Sequence, residues 1–122
     1  MKTVLVTGCS GLVGTHIVDQ LLEKGYFVVG VDLKESKERK NFKFHNIDLR
    51  DTTEVSVLFD WYEFEGCINS FGIKGTPKTA KENPVDFLEP SIKGNFNIIE
   101  NCFRKDVWLV FMSSVGVYES AP

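Results

Sequence analysis

Val4-Leu5-Val6-Thr7-Gly8-Cys9-Ser10-Gly11-Leu12-Val13-Gly14 opens the chain with a short apolar run that meets glycine at every third position. Val4 to Val6 is continuously apolar, the pattern of a strand buried on both faces of a parallel sheet, with helices above and below. Gly8 permits a tight turn off that strand. Gly11 keeps a Cβ away from the place where backbone N–H groups approach a pyrophosphate, and Gly14 lets the following helix pack close to the strand. Those N–H groups and the helix dipole favour an anion. The expectation is a nucleotide seated on Gly8, Ser10, Gly11, Leu12, Val13 and Gly14.

Outward from this turn, strand and helix patterns alternate. Val13, Ile17, Val18, Leu21 and Leu22 recur at helical spacing, and Gly25 stands where a helix C-cap glycine belongs. His16 lies in that helix and reads as a surface or packing residue. Tyr26 to Val31 reads as a second strand ending at Asp32, followed by a charged stretch, Lys34 to Lys43, that suits a solvated loop or short helix. Phe42 to Ile47 is the third strand, closed by Asp48-Leu49-Arg50-Asp51. Asp51 is placed to cap the next helix, with Glu54 as its reciprocal capping-box partner and Val55, Leu58, Phe59 and Tyr62 as the apolar side. Gly66 ends that unit, and Cys67 to Phe71 is the fourth strand. Gly72, Gly75 and Pro77 mark a long loop. Pro84 opens a helix running towards Lys105, with Pro90 either bending it or delaying its start. Val107 to Met112 is the fifth strand, and Ser113-Ser114-Val115-Gly116-Val117-Tyr118 follows.

This alternation predicts an α/β fold, a doubly wound parallel sheet in the order 3-2-1-4-5 with right-handed crossovers. A ligand then binds at the carboxyl ends of the strands, at the switch point between the first and fourth. Gly8, Gly11, Gly14, Asp32, Asp48, Phe71 and Ser114 all fall at or just after those ends. The 122 residues, 43% hydrophobic and 25% charged, suit one globular domain. A net charge of −3 without a Lys/Arg stripe argues against nucleic acid as a partner. No run is long enough to cross a membrane, and Met1-Lys2 leads into a strand without a signal-peptide pattern. Cys9, Cys67 and Cys102 are odd in number and far apart in sequence, which argues against a disulfide framework or a zinc site and for a reducing cytoplasm.

Thr7-Gly8-x-x-Gly11-x-x-Gly14, Asp32, Asp48-Leu49-x-Asp51 and Ser113-Ser114-x-x-Val117-Tyr118 resemble the extended short-chain dehydrogenase/reductases, the NAD-dependent nucleotide-sugar epimerases and dehydratases. The likeness spans the chain. It implies a Rossmann domain over residues 1–122, incomplete relative to a family that adds a smaller substrate domain, and a bound NAD, with NADP the less favoured cofactor. By position, the three glycines hold the pyrophosphate, Asp32 the adenosine ribose, and Asp48 with the Leu49 backbone the adenine. Phe71 stands in the wall beside the cofactor, and Ser114 matches the catalytic Ser/Thr that hydrogen-bonds the reacting sugar oxygen.

The chain departs from the family pattern in three places. Asn69-Ser70-Phe71-Gly72 stands where the family reads His-Leu-Ala-Ala, and Ser91-Ile92-Lys93-Gly94-Asn95 where it reads Asn-Val-x-Gly-Thr. The family's Tyr-x-x-x-Lys pair, whose tyrosine is the general acid/base beside the nicotinamide, does not occur in these residues. Two functions from different classes follow: the cofactor-binding part of a nucleotide-sugar epimerase, dehydratase or reductase, or a non-catalytic dinucleotide-binding module. If the order above holds, the strand 107–112 is a long apolar sheet edge, which predicts self-association and no turnover by these residues alone.

Overall fold

The computed structural model describes residues 1–71 and 84–112, with side chains over 1–71 and 92–112. Strands β1 (Thr3–Thr7), β2 (Phe27–Asp32), β3 (Phe42–Asn46), β4 (Gly66–Asn69) and β5 (Trp108–Phe111) form one sheet. All pairings are parallel and the order is β3-β2-β1-β4-β5, as the alternating pattern requires. Helix α1 (Leu12–Glu23) lies between β1 and β2, α2 (Thr52–Trp61) between β3 and β4, and α3 (Pro84–Arg104) between β4 and β5.

Strand alternation sorts side chains between the two faces. Leu5, Val29, Val31 and Cys67 meet Val55, Leu58 and Phe59 of α2 and Ile98 and Cys102 of α3. Val6, Val28 and Phe42 meet Val18 of α1 on the other face, and Cys9 joins them from the first turn. The three cysteines are buried free thiols. Cys67 and Cys102, distant in sequence, meet across β4 and α3. The Cys67 thiol hydrogen-bonds to the Cys102 sulfur, and that bond together with burial holds Cys67 well above the ordinary thiol range.

Several boundaries differ from the periodicity. Gly25 has φ +88°, the left-handed backbone expected after a helix C-terminus. Gly66, by contrast, does not end α2: the helix stops at Trp61, Tyr62 caps it, and Gly66 is the first residue of β4. Its register partner is Trp108, and a Cβ at Gly66 would lie 2.0 Å from the Trp108 ring, so the indole fills the space over the glycine. Pro90 does not delay α3, which is helical from Pro84. Residues 34–41 form no helix, only a bridge between Arg39 and Phe42. Gly72, Gly75, Pro77, Ser113, Ser114 and Tyr118 lie outside the described residues.

Among the described residues, α3 and β5 each present an apolar row. Ile92, Phe96, Ile99 and Phe103, at intervals of four, three and four, are exposed along α3. Trp108, Val110, Phe111 and Met112 are nearly half exposed along β5, the edge of the described sheet. Among the described residues no helix is long and apolar enough to cross a membrane, and no cluster of His, Cys, Asp or Glu could hold a metal ion.

Candidate functional site

The turn after β1 carries the site. Gly8 sits at φ +67°, which side chains rarely adopt, and a Cβ there would stand 2.8 Å from the Ser70 carbonyl oxygen. Its N–H, and that of Cys9, donate to the Val31 carbonyl at 2.8 and 3.3 Å, stitching the turn to β2. The Cys9 side chain turns into the core, where burial pushes its thiol up to about 11 and so keeps it protonated. Gly11, the N-cap of α1, has extended backbone (φ −78°, ψ 173°) and no side-chain cap. Backbone conformation therefore does not require glycine at 11, unlike at 8. Gly14 is needed for packing, because a Cβ there would fall 2.0 Å from the Gly8 carbonyl oxygen.

The first intrahelical bond of α1 runs from Thr15 N–H to the Gly11 carbonyl at 2.9 Å. The N–H groups of Leu12, Val13 and Gly14 precede it, at the positive end of the helix dipole. No acidic residue in the first turn offsets that pole.

A cleft of about 510 Å³ opens over this turn at the carboxyl ends of the strands. Its floor is Gly8, Ser10, Gly11, Leu12, Val13 and Gly14. The ends of β2 and β3 add Asp32, Leu33, Lys34, Asp48, Leu49 and Arg50, and the end of β4 adds Ser70 and Phe71. The structure thus gathers round one cavity ten of the eleven candidate site residues; the eleventh, Ser114, lies outside the described residues.

Neighbouring elements fix the walls. Arg50 grips Asp48 through Nε and Nη2, at 2.7 to 3.1 Å from the two carboxylate oxygens, and its backbone N–H adds a bond at 3.0 Å. These bonds hold the Asp48 carboxyl below its usual range, and Lys93 adds to the effect. Leu49 is buried and its carbonyl accepts from Asn97 Nδ2 at 2.8 Å, so the backbone group it can offer a ligand is its N–H. The Ser70 hydroxyl donates to the Thr7 carbonyl at 2.6 Å, locking the end of β4 to that of β1. Beneath it, Thr7 Oγ1 donates to Asn69 Oδ1, and Asn69 Nδ2 donates to Asn95 Oδ1 of α3 at 2.7 Å. Phe71 lies over Gly94, where a Cβ would stand 2.6 Å from its ring. The bulk at position 71 is thus seated in space left by α3.

Sequence reasoning does not pick out Arg50 or Ser70. The only signal for Arg50 is its place in Asp48-Leu49-Arg50-Asp51; Ser70 acts through contacts across the sheet that no local pattern announces.

The described arrangement offers a cradle for an anion with carboxylates at two strand ends beyond it. The family model for the NAD-dependent epimerase/dehydratase family matches residues 4–122. A UDP-glucose 4-epimerase from Oryza sativa subsp. japonica is 32% identical over 98% of this chain and 33% of its own length. Among solved structures, the Thermus thermophilus UDP-glucose 4-epimerase complex with NAD is similar with a TM-score of 0.80 and 32% identity, covering 92% of this chain and 37% of that one. The Bifidobacterium longum UDP-glucose 4-epimerase in complex with NAD+ and UDP gives a TM-score of 0.83 at 25% identity, covering 96% and 38%. The chain therefore spans little more than a third of the length of these relatives.

Proposed function

Because the chain belongs to the NAD-dependent epimerase/dehydratase family, we propose that residues 1–122 are the cofactor-binding part of an enzyme that epimerises, dehydrates or reduces a nucleotide-linked sugar. The observation that carries the reading is the cleft over the glycine turn, whose close-packed glycines and helix N-terminus without a side-chain cap suit a pyrophosphate. Gly8, Gly11 and Gly14, with Ser10, Leu12 and Val13, hold the pyrophosphate of NAD; Asp32 accepts from the adenosine ribose, and Asp48 with the Leu49 N–H reads adenine. Phe71 stands beside the cofactor. NAD, when bound, supplies hydride transfer. Ser114 hydrogen-bonds the reacting sugar oxygen in this reading.

Calorimetric titration with NAD tests it. The chain binds NAD, and Gly11→Val abolishes binding without unfolding; unchanged affinity in the variant removes the turn from the site. NAD is preferred over NADP because the Asp32 carboxylate accepts from ribose hydroxyls and repels a 2′-phosphate.

These residues contain no Tyr-x-x-x-Lys, so the 122-residue chain binds cofactor without turning over a nucleotide sugar. The second reading is a binding module with no enzymatic role. A Tyr-x-x-x-Lys encoded shortly downstream of Pro122 decides for the enzyme. The setting is the reducing cytoplasm, in keeping with three free thiols. The chain self-associates through the open edge of β5, to which the exposed row on α3 adds apolar surface.

A further inference from the structure

Asn97 is a buried carboxamide on α3, and none of the motifs of the family likeness includes it. Its Nδ2 donates to the Leu49 carbonyl at 2.8 Å, and its Oδ1 accepts from Thr52 Oγ1, at the start of α2, at 3.3 Å. One side chain thus ties α3 to the strand end that follows β3 and to the first turn of α2. The backbone behind it is held as well, since Asn101 Nδ2 donates to the Asn97 carbonyl at 2.8 Å.

What Asn97 grips is the turn 48–51. There the Asp51 N–H donates to the Asp48 carbonyl at 2.9 Å, and the Arg50 N–H to Asp48 Oδ1 at 3.0 Å. Both bonds begin and end inside the turn, so they fix its shape and travel with it if it tilts. The bond from Asn97 comes from another element and fixes the direction in which the turn faces. The Leu49 side chain is buried, and a Cβ on Gly94 of α3 would come 3.2 Å from the Leu49 Cβ. That packing sets where Leu49 lies; being non-directional, it does not set how the peptide groups are rotated.

We infer that Asn97 is a positioning residue for the base: through the Leu49 carbonyl it aims the Leu49 N–H and the Asp48 carboxylate, and so sets how sharply the site tells adenine from a base with the opposite hydrogen-bonding edge. The inference rests on the cofactor reading above. A carboxylate beside an N–H is an acceptor next to a donor, which matches the amino group and ring nitrogen of adenine. Hypoxanthine offers a carbonyl and a ring N–H at the same two places, and both pairs are then mismatched. A site that hydrogen-bonds one edge rejects the other because its polar groups are left unpaired, and the rejection weakens as those groups lose their aim. The ratio of the two affinities therefore reports the aim of the turn, whereas a general loss of stability weakens both ligands alike.

Titration with NAD and with deamino-NAD, its hypoxanthine analogue, tests this. The unaltered chain is expected to prefer NAD. Asn97→Leu loses both bonds at similar volume, and is expected to lower the NAD-to-deamino-NAD affinity ratio about three- to tenfold, the worth of one hydrogen bond. Thr52→Val, at an exposed position, frees the carboxamide to turn and is expected to lower the ratio in the same direction. Asn101→Leu removes a buried asparagine of the same helix whose bonds go to the Asn97 carbonyl and to Arg104; it is expected to lower the unfolding midpoint and leave the ratio in place. Equal weakening of both dinucleotides in Asn97→Leu overturns the inference and leaves the cofactor reading standing. A fall of the ratio in Asn101→Leu as large as in Asn97→Leu does the same, because any loosening of α3 would then act on the base. If Asn97→Leu does not fold by circular dichroism, Thr52→Val decides, and an unmoved ratio there overturns the inference. Failure of the unaltered chain to bind either dinucleotide overturns the cofactor reading, and binding without preference for NAD overturns the assignment of adenine to Asp48 and Leu49; the inference falls with either.

Discussion

A methyl group at position 14 would sit 2.0 Å from the Gly8 carbonyl oxygen, and the atom it meets is backbone held by β2. Neither partner can turn away, so α1 itself must move. Gly14→Ala is therefore expected to destabilise the fold by about 1 to 3 kcal/mol, the usual cost of overpacking, and thermal or denaturant unfolding reads it directly. His45 makes a different kind of prediction. Its Nε2 meets Tyr62 Oη at 2.7 Å, and burial, with Lys43 nearby, holds its pKa below the ordinary histidine value. As pH falls through about 6.5 the unfolded chain takes up this proton before the folded one does. The contribution of His45 to stability is thus fully present above that pH and declines below it, levelling off once the folded state also protonates. Unfolding midpoints measured across this range should show a slope that His45→Gln removes. At this scale the roles of Gly8 and Gly14 in the turn, and the place of Asp32 at the end of β2, could be read from the sequence, because a turn and a strand end are local events. Arg50, Ser70 and Cys9 could not be read in this way, because what each does depends on a neighbour or a core face supplied by the folded chain.

Helix α2 shows how far a local motif reaches. Asp51 caps it, accepting from the Glu54 N–H at 3.0 Å, but the Asp51 N–H donates to the Asp48 carbonyl at 2.9 Å. The donor that Glu54 would return to is already engaged, and the capping box is only half formed. Asp51→Ala is accordingly expected to cost about 1 kcal/mol, and Glu54→Ala well under half of that, as measured by denaturant midpoints. Equal losses for the two would mean that the box closes in solution. Element existence and order were open to periodicity, since apolar spacing of 3.6 or 2 reflects which face is buried. The start of β4 was not, because Gly66 looks like a helix terminator until Trp108 arrives beside it from the next strand. Pro90 was equally ambiguous, and the sequence does not say that the helix is already running when it reaches that residue.

For the whole molecule, the strand order follows from handedness and short connections, and the sheet has the order those rules select. What the rules leave open is the treatment of the edges. Among the described residues β5 is an edge of the sheet, with Trp108, Val110 and Phe111 nearly half exposed along it. The chain is expected to associate with rising concentration in light scattering or sedimentation, and Val110→Lys, which sets a charge on that edge, should shift it towards monomer. A concentration-independent monomer would show the edge to be covered. The central position of β1 bears on how the protein is made. Of these five strands β1 leaves the ribosome first, and it is the one that needs a partner on each side, β2 at residues 27–32 and β4 at residues 66–69. A nascent chain ending before Gly66 therefore holds its most buried strand with one flank bare, and synthesis must run past Asn69 before the glycine turn has both its supports.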